Sequence, residues 1–255
     1  IDALLVIGGY SAYEGIYTMM TERDRYPAFR IPTVCIPASI DNNLPGSELS
    51  IGTDTALNVI VEAMDKIKES GIASRRCFVV ETMGRDCGYL ALMSGIAAGA
   101  ERIYTNEDGI SLDDLANDVH WLRESFAHGR RLFLAVRNEN ASHNYTTDFI
   151  ARLLEEESHG MYDVRQVVLG HMQQGGSPSP FDRLLANRLG YRALNLIDDE
   201  LAAHQDGSWF IGVNESGMRP CSMDTMPSLI DAAHRRPREQ WWLQLRTIAR
   251  MVSDE

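Results

Sequence analysis

Short apolar runs alternating with helical periodicity restrict this chain more than any other feature. The runs are Ala3–Ile7, Pro32–Ile36, Cys77–Glu81, Arg131–Val136, Val164–Leu169 and Trp209–Val213. Helical spacing covers Tyr13–Thr21, Asp54–Glu69, Gly88–Gly99, Leu112–His128, Thr147–His159, Phe181–Leu201 and Gln240–Val252. Apolar runs without polar alternation suit strands buried on both faces. Repeated strand, loop and helix therefore predicts an α/β fold of parallel sheets with helices on both faces. Two packed lobes with crossing connections satisfy the pattern as well as one continuous sheet. The first run opens almost at Ile1, with no lead-in, which predicts a longer polypeptide whose preceding segment is absent here.

Parallel sheets carry their ligands on loops past the carboxyl ends of the strands. Those loops are Gly8–Gly15, Ala38–Gly52, Thr82–Gly88, Arg137–Thr146, Gly170–Pro180 and Asn214–Pro220. The first lacks G-x-G-x-x-G spacing and reads as a strand-to-helix turn; no Walker A or protein-kinase motif set is present. In "ETMGRDCGY", Gly84, Arg85 and Gly88 bring backbone N–H groups and a guanidinium to a helix start, a setting that suits phosphate. "VLGHMQQGGSPSPFDR" gathers His171, Gln173 and Gln174, which suit sugar hydroxyls and phosphate oxygens. Glu139 could accept from sugar hydroxyls or pair with Arg137.

Bulk properties narrow the partners. The 255 residues can bury a sizeable core. The net charge of -12 repels nucleic acid and anionic membranes, so a bound anion needs a local cluster such as Arg75–Arg76, Arg165 or His234–Arg235–Arg236. The four cysteines lack C-x-x-C spacing, which argues against zinc and disulfides and for a reduced, cytoplasmic setting. No apolar run reaches membrane-spanning length, and no signal-peptide layout opens the chain.

Taken together, "IPASIDNNLPG", "ETMGRDCGYLA", "VRNENASHNYTTDFI", "VLGHMQQGGSPSPFDR" and "HRRPREQWWLQLR" resemble the ATP-dependent 6-phosphofructokinase family along essentially the whole chain. The likeness is to the C-terminal, regulatory half of the duplicated eukaryotic-type enzyme. It implies the phosphofructokinase fold of two Rossmann-like lobes, residues 1–52 with 173–225 and residues 53–172 with 226–255. It also implies that the N-terminal part of the first lobe, a strand, a Gly-rich loop and two helices, is missing.

In that family the catalytic half carries G-G-D-G-S, whose Asp holds magnesium of ATP, and T-I-D-N-D, whose first Asp activates the sugar hydroxyl. Here Tyr10 and Ser11 replace the metal Asp and the next Gly, and Asn43 replaces the second Asp of the other motif. A phenol is no anionic ligand at neutral pH. The resemblance thus implies a half that binds fructose 2,6-bisphosphate, or fructose 6-phosphate, and holds no cofactor itself, while the whole enzyme uses magnesium and ATP in glycolysis. The matching ligand positions are Ser39, Ile40, Asp41, Asn42, Asn43, Arg76, Met83, Gly84, Arg85, Glu139, Arg165, His171, Met172, Gln173, Gln174 and Arg235, with Arg76 and Arg165 reaching in from a neighbouring subunit. No metal ligand is expected. Partners are the catalytic half and other subunits of a homo- or hetero-oligomer, with no nucleic acid and no membrane. Asp41 and Arg85 depart from the animal regulatory half toward the catalytic one. They sustain the alternative of a catalytic half with Asp41 as general base; a third reading is a purely structural half.

Overall fold

Along the segment Thr33–Pro37, Val34 and Ile36 turn to one side and Cys35 to the other, and all three are almost fully buried. Period-two alternation with apolar residues on both sides requires cover on both faces. The surrounding architecture supplies it. The computed structural model describes residues 1–71, 73–214 and 216–253. In chain order the strands are β1 (Leu4–Gly8), β2 (Thr33–Pro37), β3 (Arg76–Thr82), β4 (Arg102–Tyr104), β5 (Leu132–Asn138), β6 (Asp163–Val168), β7 (Ser208–Asn214), β8 (Gly217–Ser222), β9 (Ile230–Asp231) and β10 (Arg236–Pro237). The helices are α1 (Tyr10–Thr21), α2 (Thr53–Gly71), α3 (Tyr89–Ala98), α4 (Leu112–Ala127), α5 (Thr147–Glu156), α6 (Pro180–Ala202), α7 (Met226–Leu229) and α8 (Arg246–Ser253).

Contacts divide the chain into two units. The first joins Ile1–Thr55 with Pro178–Trp241, and the second joins Ala56–Ser177 with the chain from Trp242 onward. The expectation put residues 226–255 in the second lobe; here residues 226–241 belong to the first. Met226 and Ile230 pack into its core, and the Trp241 indole N–H donates to the Glu48 carbonyl at 3.0 Å.

The first unit holds a sheet of order β1-β2-β7-β8. Cys35 and Phe210 pack under Tyr10, Tyr13, Ile16 and Met20 of α1. Val34, Ile36 and Ile211 pack under Leu185, Leu189 and Ala193 of α6. Each Leu or Ile so buried contributes about 1.5–3 kcal/mol. Strands β1, β2 and β7 are parallel. Strand β8 is antiparallel to β7 in a hairpin, pairing Asn214 with Gly217. The expected ligand loop at Asn214–Pro220 is therefore mostly strand, and its Glu215 lies outside the described residues.

The second unit holds a wholly parallel sheet of order β4-β5-β3-β6. Cys77 and Val79 of β3 pack against Leu115, Leu122 and Phe126 of α4 and Ile150 and Leu154 of α5. Strand β4 went unread because three residues carry too little pattern. It lies so close to α3 that a Cβ on Gly95 would sit 2.5 Å from Ile103. The expected helix over Gln240–Val252 starts as a 3-10 turn at Trp241–Leu245 before α8. That turn sends Trp242 into the core, edge-on to Tyr89 with ring centroids 5.8 Å apart, and leaves Trp241 half-buried. No helix among the described residues is long and apolar enough to cross a membrane.

Candidate ligand-binding loops

In the first unit, β1 ends at Gly8 and α1 begins at Tyr10 with no side-chain cap. Tyr10 is 7% exposed, and the guanidinium carbon of Arg235 lies 4.7 Å from the centroid of its ring. The same guanidinium donates from Nη2 to Glu14 Oε2 at 2.5 Å and to Ser11 Oγ at 3.2 Å. Burial raises the Tyr10 phenol above its ordinary pKa; the Glu14 carboxylate adds to the rise and Arg235 opposes it. Arg235 sits in the turn between β9 and β10 with φ 50, in the left-handed region. Its carbonyl accepts from Asn43 Nδ2 at 3.0 Å.

The loop after β2 is stiffened from within. Ser39 Oγ donates to Asn43 Oδ1 at 3.0 Å, and Asn42, at φ 52, donates Nδ2 to the Glu48 carbonyl at 2.8 Å. Asn42 and Asn43 are buried, whereas Ser39, Ile40 and Asp41 remain partly exposed. Beyond the loop, the buried Asp182 carboxylate accepts from Gly52 N at 2.9 Å, Thr55 N at 2.8 Å and Thr55 Oγ1 at 2.5 Å. That ties the start of α2 to the first turn of α6.

In the second unit the loop after β3 is cradled by loops after β5 and β6. Glu139 Oε1 accepts from Gly84 N at 3.1 Å and Arg85 N at 2.7 Å. Gln173, 1% exposed, accepts at Oε1 from Met83 N at 3.1 Å and donates Nε2 to the Gly170 carbonyl at 3.0 Å. Gly88 N at the start of α3 donates to both Glu107 carboxylate oxygens, at 3.1 and 3.0 Å. The amides read as a phosphate cradle thus face carboxylates of this chain. Both Gly84, at φ 128, and Arg85, at φ 50, take left-handed backbone.

Arg137 does not pair with the Glu139 carboxylate. It is 1% exposed, donates to Glu81 Oε2 at 2.9 Å and holds the carbonyls of Glu139, Ser142 and Tyr145. Desolvation lowers its pKa, and Glu81 counters the shift. Its role is to shape the loop that aims Glu139.

Met83, Gly84, Arg85, Glu139 and Gln173 are therefore joined directly, with His171, Met172 and Gln174 exposed on the same 3-10 turn as Gln173. Arg76 and Arg165 are not brought there. Arg76 begins β3 and Met83 follows that strand's end. At about 3.3 Å per residue, more than 20 Å separates them along the strand. Arg165 lies within β6, exposed, beside Asp163 at 3.8 Å. Sequence reasoning passed over Glu14 and Glu107, whose partners lie far along the chain or on backbone amides. Neither carries a local signal.

The family model described as Phosphofructokinase matches residues 1–197. The chain belongs to the phosphofructokinase family. It is 43% identical to the rat (Rattus norvegicus) platelet-type ATP-dependent 6-phosphofructokinase, across 99% of this chain and 33% of that protein. It is 42% identical to the human muscle-type enzyme, across 99% of this chain and 34% of that protein. The phosphofructokinase structure from Saccharomyces cerevisiae superposes with a TM-score of 0.95 at 35% identity, covering 99% of this chain and 35% of that one. The chain thus spans about a third of the length of these relatives. Within the phosphofructokinase fold, the α/β sheets and their strand-end loops stand as described above.

Proposed function

We propose that this chain is the regulatory half of an ATP-dependent 6-phosphofructokinase, binding fructose 2,6-bisphosphate as an activator rather than transferring phosphate itself. The observation that carries the reading is the loop after β1. Where the resemblance puts a metal-binding Asp, Tyr10 lies buried beneath Arg235. A magnesium nucleotide needs free anionic ligands there, and the residues present offer a phenol, a guanidinium and the Glu14 carboxylate already bonded to that guanidinium, so they do not fit that group. They favour an anion. The other strand-end loops keep groups suited to a sugar phosphate: Ser39, Asp41 and Asn43 in the first unit, and Glu139, His171 and Gln174 in the second.

Arg76, remote from the strand-end loops of its own unit, and Arg165, exposed within β6 beside Asp163, support a role at the pocket of a neighbouring subunit in an oligomer. Ligand binding and association would then strengthen each other by the same factor. Sedimentation velocity with and without the bisphosphate tests this; a monomer binding at full affinity would refute it. Magnesium and ATP belong, on this reading, to the catalytic half, in the cytoplasm.

Calorimetric titration of the chain decides the main proposal. The expected result is binding of fructose 2,6-bisphosphate tighter than fructose 6-phosphate, weakened about 10- to 150-fold by His171→Ala through loss of one charge-assisted contact. No binding of either sugar would leave the structural reading. The catalytic reading keeps one support, the carboxylate of Asp41 in the loop after β2. In the intact enzyme, Asp41→Ser should change activation and leave maximal velocity nearly unaltered. A loss of 100-fold or more would make Asp41 a working base.

A further inference from the structure

Arg235, assigned above to the bisphosphate, already holds an anion of its own chain. Its Nη2 lies 2.5 Å from Glu14 Oε2 on the second turn of α1. Both side chains are partly open, at 42% and 49% exposure, so a solvent-borne anion can reach the guanidinium. Three further contacts fix where the cation stands. The Tyr10 ring lies under it, Ser11 Oγ accepts from it, and Asn43 Nδ2 holds its backbone carbonyl. The turn carrying it is held in left-handed conformation at φ 50. A guanidinium placed this firmly, with one carboxylate at bonding distance, is occupied in the way a phosphate oxygen would occupy it.

We infer that Glu14 is a built-in competitor for the phosphate group that Arg235 would hold, so that its carboxylate sets the affinity of the site for anionic ligand. The inference rests on the proposed assignment of Arg235 to a sugar phosphate. A phosphate arriving at Arg235 must displace Glu14 or share the cation with it. In the first case it gives up an ion pair worth up to about fivefold in equilibrium. In the second it stands about 6 Å from a like charge, which costs about threefold even at the dielectric of water. Nearby charges do not cancel the effect. Asp231, on β9, is engaged by His234 at 2.7 Å, while Glu14 is the carboxylate seen at bonding distance from Arg235 Nη2.

The test is calorimetric titration of the full chain with fructose 2,6-bisphosphate in four forms: parent, Glu14→Gln, Arg235→Ala and the double variant. Glu14→Gln should bind about three- to fivefold tighter than the parent, Arg235→Ala weaker, and the double variant no tighter than Arg235→Ala alone. Raising salt should shrink the gain in Glu14→Gln, since it is electrostatic. If Arg235→Ala weakens binding but Glu14→Gln binds like the parent or more weakly, the competition is refuted while the ligand assignment stands. A gain in Glu14→Gln that persists in the double variant also refutes it, because the effect would then bypass Arg235. Parent affinity in Arg235→Ala, or no binding in the parent, overturns the assignment itself and the competition with it.

Discussion

Arg235 stacks on Tyr10 at 4.7 Å while bonding Glu14 from the same guanidinium, so one cation serves an aromatic face and a carboxylate together. The partly exposed ion pair weakens with salt; the contact with the ring does so less. A double-mutant cycle of Tyr10→Leu with Arg235→Met, read by urea unfolding, should return a coupling of about 0.5–1 kcal/mol that survives 0.5 M salt as an approximate setting. A coupling near zero would mean that the ring only fills space.

Arg85 holds φ 50 where glycine is at ease. A side chain in the left-handed region costs about 1–2 kcal/mol, part of which glycine returns through its greater freedom in the unfolded chain. Arg85→Gly is expected to raise unfolding stability by about 0.5–1 kcal/mol, seen as a higher urea midpoint at unchanged slope. A lower midpoint would show that the Arg85 side chain stabilises the loop by more than its backbone strains it.

Glu139 closes the loop after β3 by taking two amide protons on one oxygen. Glu139→Ala leaves both amides to water and should lower stability by about 1.5–3 kcal/mol, with Glu139→Gln falling between it and the parent. Guanidinium titrations of the three proteins supply the comparison. Equal midpoints would mean that the two bonds add nothing net over solvent.

Burial pushes the Cys35 thiol up to about 12, from near 9 in the unfolded chain. Rising pH therefore ionises the unfolded chain first, so the contribution of Cys35 to stability is whole below pH 9 and is lost as pH climbs toward 12. Between pH 8 and pH 10 the parent should lose about 1.4 kcal/mol more than Cys35→Ala. Urea midpoints at the two pH values measure the difference; equal losses would show that Cys35 ionises alike in both states.

The fold was largely legible because Val34–Ile36, Cys77–Val80 and Phe133–Val136 are continuous apolar stretches that little else can accommodate. Strand β8 escaped because Pro220 and the polar Arg219 and Ser222 read as loop, although a hairpin edge tolerates both. The candidate site was legible as a set of loops, and less so as a set of contacts. Gly84, Arg85 and Glu139 each stood out, but that the carboxylate would sit on the amides depends on β3 and β5 being neighbours. Glu14 gave no sign at all. Its partner comes from the far end of the chain, and on α1 it looks like any solvated helix residue.

Because the first unit is built from segments on either side of residues 56–177, a growing polypeptide reaches the two four-stranded sheets in a fixed order. All four strands of the second sheet, β3 to β6, emerge by Val168 and can zip together at once. Strand β2 waits: Thr33 finds Ser208 beside it only after that whole sheet has left the ribosome. Until then Val34 and Ile36 lack both β7 and α6, and the early half of the first unit is an apolar surface in need of shelter. Translation should thus expose a chaperone-binding interval that opens with β2 and shuts with β7.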